Sequence, residues 1–188
     1  MSLWTITLII GYVIIIVLNL IFSFSLTTAL NLLLCLVIIM VPSAIILVIG
    51  RLFPKKWFDE NNFLFKIGRF KQKICKITNV KAWKDKIPVG CKVLQAISQP
   101  KDKEFLSKFI YESCFAEWLH SFICYWSLIA CLIIFFINKS LVLPMAVPIA
   151  VWFIYQNLTS TVIQWYVRPR MISYRELVRK RKERHAGN

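Results

Sequence analysis

The chain has 188 residues, of which 58% are hydrophobic and 18% charged, and its formal net charge is +15. A soluble domain is about half apolar and about a quarter charged, so this composition argues against one. Residues 1–50 carry no charged side chain at all, which points instead to an all-α integral membrane protein.

A bilayer core takes about 20 consecutive apolar residues in helical form, so residues 1–50 suffice for two spans. The first is expected at residues 3–22 and the second at 30–50, joined by the short uncharged hairpin 23–29. No Lys or Arg precedes the first span. A cleaved signal peptide would have a basic leading region, so this segment is expected to stay in place.

Residues 51–112 carry 15 basic and six acidic side chains. Phe53, Trp57, Phe58, Phe63, Phe65, Phe70, Trp83, Phe105 and Phe109 are interspersed among them. Aromatics mixed with Lys and Arg suit a surface lying in the membrane interface. The pattern predicts one or two amphipathic pieces over 62–77 and a break at Ile87-Pro88-Val89-Gly90. A surface helix is expected over 103–112, with Phe105, Leu106, Phe109 and Ile110 on one face, turning into the third span.

That third span is expected at 115–137 and the fourth at 141–167, with Lys139 at the turn. The two form a segment, 113–167, that carries the candidate site. The fourth span is longer than a bilayer core and is expected either to tilt or to bend at Pro144 and Pro148. Pro169 should end the last span, and 168–188 should form a basic tail, helical over 171–185. With four spans, both basic regions fall on one face, which the positive-inside rule makes cytoplasmic. Both termini then lie in the cytoplasm. The positive charge is read as attraction to anionic headgroups rather than to nucleic acid.

The six cysteines form no Cys-x-x-Cys pair, so neither a disulfide nor a zinc site is expected. Ionisable groups inside a span are costly and mark functional sites. Glu117 and His120 are such a pair, three residues apart on one helix face. An acid beside an imidazole can set its tautomer and make it a general base; the alternative is a snorkelling Glu and a packed His. A di-iron bundle needs two Glu-x-x-His copies plus further Glu ligands and only one copy is present, so no metal is expected. Asn157 and Gln164, seven apart, should face the same way at a similar depth, either toward this pair or in plain interhelical hydrogen bonds. Arg168-Pro169-Arg170 offers two guanidinium forks for phosphate or carboxylate, or an ordinary anchor. No Gly-x-Ser-x-Gly elbow is present, which argues against a covalent intermediate on serine.

Four pieces in this order resemble one family. They are Trp83-Lys84-Asp85-Lys86-Ile87, then Ala116-Glu117-Trp118-Leu119-His120, then Asn157 with Gln164 and Tyr166. The last is Arg168-Pro169-Arg170, trailing into Arg181-Lys182-Glu183-Arg184-His185. Over residues 53–185 the chain is similar to the small bacterial membrane acyltransferases of staphyloxanthin-type carotenoid synthesis, the glycosyl-4,4'-diaponeurosporenoate acyltransferase family. The resemblance implies transfer of a fatty acyl group from a thioester donor, carried by coenzyme A or an acyl carrier protein, to a sugar hydroxyl of a glycosylated carotenoid or related glycolipid. His120 would act as base, Glu117 would orient it, and Asn157 or Gln164 would stabilise the oxyanion. Arg168, Arg170, Lys84 and Lys86 would hold donor phosphates, with Trp83 and Tyr166 also on the substrate. No cofactor is implied. The competing expectation is a non-catalytic membrane scaffold that binds anionic lipid through its basic loops.

Overall fold

The structure, a computed structural model, describes residues 26–84, 103–141 and 145–186, together with Val13 and Val17. The first expected span, Lys86 and the break at 87–90 lie outside the described residues. Within them the chain is helical, with no strand. Helix α1 is Leu26–Leu52, α2 Arg69–Ile77, α3 Val80–Trp83, α4 Lys103–Ile137 and α5 Val147–Ala186. Short 3-10 turns occur at Lys55–Phe58 and Lys139–Leu141.

Two of the described helices are long and apolar enough to cross a membrane, at Leu30–Leu52 and Glu104–Ile137. Large apolar side chains along them are exposed, among them Leu33, Val37, Val41 and Val48 on α1 and Leu128, Leu132 and Phe136 on α4. The core helix of a soluble protein would bury such a stripe. The fourth expected span falls in α5, where Gln156, Asn157, Thr159, Ser160, Thr161 and Gln164 dilute the apolar run. Four spans were expected; the described residues supply two helices of spanning character.

Other boundaries differ from expectation for local reasons. Helix α1 starts at Leu26, inside the expected hairpin. The expected surface helix and third span are one helix, α4, of 35 residues. No Gly or Pro interrupts residues 103–137, so nothing in the backbone chemistry calls for a turn. Pro169 does not end α5, which runs on to Ala186. A mid-helix proline removes one N–H, here the partner of the Trp165 carbonyl, and flanking contacts carry the helix across. Pro148 sits in the first turn of α5, where its missing N–H costs nothing.

The chain packs as two compact units, Met1–Leu52 with Leu119–Thr159, and Phe53–Trp118 with Ser160–Asn188. In the first, Cys35 and Ile39 of α1 meet Ala130 and Ile134 of α4 and Ile149 of α5. Pro42 lies inside α1 and strips the Ile38 carbonyl of its helical donor. The indole Nε1 of Trp126 donates to that carbonyl at 2.9 Å, so the tertiary fold replaces the bond that the proline removes. In the second unit, Val80, Leu106, Ile110, Val162, Ile163, Val167 and Met171 form the core. Helix α2 is amphipathic, and Ile74 and Cys75 pack on that core.

Candidate functional site

The first unit holds His120 on α4 and Asn157 on α5. His120 Nδ1 lies 2.7 Å from Asn157 Oδ1. Asn157 Nδ2 donates to the Phe153 carbonyl, four residues back on α5, at 2.7 Å. A carbonyl only accepts, so this second bond fixes which end of the amide is nitrogen. The oxygen therefore faces the imidazole. Nδ1 must carry the proton and donate it, which leaves Nε2 with a free lone pair. That is the tautomer a general base requires. Asn157 is 8% exposed, so the amide has little water to turn toward.

The second unit holds Glu117. Its Oε1 accepts from Lys71 Nζ of α2 and from Trp165 Nε1 of α5, each at 2.7 Å. Its Oε2 lies 2.7 Å from Arg168 Nη1; this is a close ion pair without hydrogen-bond alignment. Arg168 is 1% exposed. Its Nε donates to Ser113 Oγ at 3.1 Å, Nη2 to the Ser113 carbonyl at 2.9 Å and Nη1 to the Phe65 carbonyl at 2.9 Å. Lys71 Nζ also donates to the Leu64 carbonyl at 2.7 Å. A buried guanidinium is tolerable only when paired and hydrogen-bonded around its fork, and here the chain supplies every partner named. The spacing explains the arrangement. Ser113 and Glu117 are four apart on α4, and Trp165 and Arg168 three apart on α5, so each couple shares a helix face.

The hydrogen bonds therefore sort the expected residues into two groups. Asn157 holds the imidazole of His120. Lys71, Trp165 and Arg168 hold the carboxylate of Glu117. The Arg168 fork, expected on a ligand phosphate, is directed at groups of the chain itself. Lys71 and Ser113 were not singled out in the sequence, and Phe65 only as an interfacial aromatic, although the i, i+4 couple Ser113–Glu117 was there to be read.

The remaining expected residues that the structure describes lie on the second unit. Gln164 is buried. Tyr166 has a buried hydroxyl without a hydrogen-bond partner, and its ring lies 4.1 Å from the Arg170 guanidinium carbon. Trp83 Nε1 donates to the Thr78 carbonyl at 2.8 Å, which ties α3 to the end of α2. Lys84 is buried just after α3.

A family model for glycosyl-4,4'-diaponeurosporenoate acyltransferase matches residues 54–176. The chain belongs to the glycosyl-4,4'-diaponeurosporenoate acyltransferase family. It is an acyltransferase, and the resemblance carried by the four short motifs holds. The family's segment contains both hydrogen-bonded clusters, His120 with Asn157 and Glu117 with Arg168. It begins after α1. No curated protein and no solved structure matches the chain.

Proposed function

We propose that the protein transfers a fatty acyl group from a thioester to a sugar hydroxyl of a glycosylated carotenoid or related glycolipid, with His120 as general base. The observation that carries this is the His120–Asn157 hydrogen bond, whose polarity leaves Nε2 free to accept a proton. Family membership supplies the reaction class. In the step, Nε2 takes the proton of the acceptor hydroxyl as its oxygen bonds to the acyl carbonyl carbon. The tetrahedral oxyanion collapses, the carbon–sulfur bond breaks, and the thiolate recovers the proton from the imidazolium. Donors placed at the oxyanion favour such a step.

Asn157 is the orienting residue in this reading, because its amide oxygen and nitrogen are bonded to His120 and Phe153. Glu117 and Arg168 act as positioning residues, pinning α2, α4 and α5 of the second unit together. Gln164, Tyr166, Arg170, Lys84 and Lys86 are assigned to substrate, and Trp83 braces the turn between α2 and α3. The protein is placed in a bacterial cell membrane with four spans and cytoplasmic termini. The apolar lengths of Leu30–Leu52 and Glu104–Ile137 support two of those spans.

The test is to express the chain in a host that makes the glycosylated carotenoid and to analyse extracted lipids by mass spectrometry. A new species heavier by one acyl group, and labile to mild base as an ester is, is expected. Only the unacylated glycoside in the extract would contradict the reading.

A further inference from the structure

The second unit carries an open cavity of about 500 Å³ lined by Lys76, Lys81, Arg170, Tyr166, Trp165 and Asn79, among others. Its lining holds three basic side chains and no acidic one. A second cavity, of about 560 Å³, is lined by Glu60, Glu176, Lys66, Arg168 and Arg175. There Arg175 pairs with Glu60, so positive charge is offset within the protein. The first cavity has no such offset in its lining and suits an anion. Its volume lies within the range of small-molecule sites, about 300–1,000 Å³.

Several features preorganise it. Asn79 joins α2 to α3 with φ 47° and ψ 48°, the left-handed region that asparagine tolerates better than most residues. This turn lets Lys76, before it, and Lys81, after it, line one cavity. The Trp83 indole bond to the Thr78 carbonyl and the Thr78 hydroxyl bond to the Ile74 carbonyl hold the turn. On α5, the guanidinium of Arg170 rests on the Tyr166 ring at 4.1 Å, a cation–π contact that orients the group and leaves its N–H edge for a ligand. Trp165 adds an aromatic wall, fixed by its bond to Glu117.

We propose that this cavity binds the phosphate groups of a coenzyme A thioester, the acyl donor. Lys76, Lys81 and Arg170 neutralise the phosphates, and the Trp165 wall suits the purine. The inference rests on the acyl-transfer reading, since it names the donor for that reaction. Anionic phospholipid headgroups share the phosphate chemistry and are the source to be separated from it.

Lys76, Lys81 and Arg170 are exposed, so their replacement leaves the fold intact, which circular dichroism of the purified full chain checks. Binding of free coenzyme A to the detergent-solubilised protein is measured by calorimetry, with pantetheine, which lacks phosphate, as control. The triple variant Lys76→Ala, Lys81→Ala, Arg170→Ala should bind coenzyme A about tenfold or more weakly. Pantetheine should not distinguish this variant from the wild type. Unchanged coenzyme A affinity in the triple variant overturns the proposal. So does a variant that loses binding to phosphatidylglycerol vesicles while keeping coenzyme A. If the wild type acylates glycolipid and the triple variant keeps the same donor KM, the cavity assignment fails and acyl transfer stands. If the wild type binds coenzyme A here yet makes no acylated glycolipid, acyl transfer fails and the site stands.

Discussion

Asn157 presents its side-chain oxygen to Nδ1 of His120 at 2.7 Å, and its own nitrogen is held by the Phe153 carbonyl at 2.7 Å. The pair thus has a direction. One bond sets the amide, the amide sets the tautomer, and the tautomer sets which nitrogen can receive a proton.

Replacing Asn157 separates this orienting role from packing. Asn157→Leu removes the acceptor and should lower kcat by about 10²-fold, with donor KM little changed. Asn157→Asp keeps an acceptor for Nδ1–H and should retain most of the rate. Steady-state kinetics on both variants checks this; equal losses would speak for packing alone.

Glu117 and Arg168 predict a pattern in stability. Removing one member of a buried pair leaves a charge uncompensated and costs about 3–5 kcal/mol. Glu117→Leu and Arg168→Met should therefore each lower the thermal midpoint of the solubilised protein strongly. The double variant should be less destabilised than the sum of the two. An additive double would show that the pair contributes nothing jointly.

The Trp126 bond to the Ile38 carbonyl predicts a dependence on Pro42. Trp126→Phe should cost about 1 kcal/mol, the usual net value of a hydrogen bond. In a Pro42→Ala background the Ile38 carbonyl regains a helical N–H, and the same change should cost measurably less. Thermal denaturation of the four proteins tests the coupling.

Burial raises the Cys75 thiol above its usual pKa, and its Sγ donates to the Val162 carbonyl at 3.8 Å. The thiolate is the reactive form, so a raised pKa keeps Cys75 protonated and slow to alkylate at neutral pH. In a variant whose other five cysteines are replaced, modification by N-ethylmaleimide should be slow at pH 7 and accelerate as pH rises, with a midpoint above that of a free thiol. Fast labelling at pH 7 would contradict this.

The helical class and the family were legible in the sequence, whereas the partners of the Glu-x-x-His spacing were not: His120 is bonded to Asn157, and Glu117 to Lys71 and Trp165. Apolar runs, basic clusters and four short motifs encode the class and the family directly. The partners of Glu117 were less legible, because Lys71 lies 46 residues away and looks like any other lysine of a basic segment. Pro169 misled for a related reason. Local chemistry says a proline breaks a helix, but the buried Arg168 beside it anchors that turn to Ser113 and Phe65. Likewise, residues 103–112 have the amphipathic look of a separate surface helix, and only the lack of a breaker signals that α4 continues.

The central claim is that Nε2 of His120 accepts the proton of the acceptor hydroxyl. Its most direct test is acyl transfer by His120→Ala, measured as ester-linked product in extracted lipid, with protein accumulation followed by immunoblot. We expect the variant to accumulate as the wild type does and to lose about 10²–10⁴-fold in rate. Product at the wild-type level from a His120→Ala protein would contradict the account.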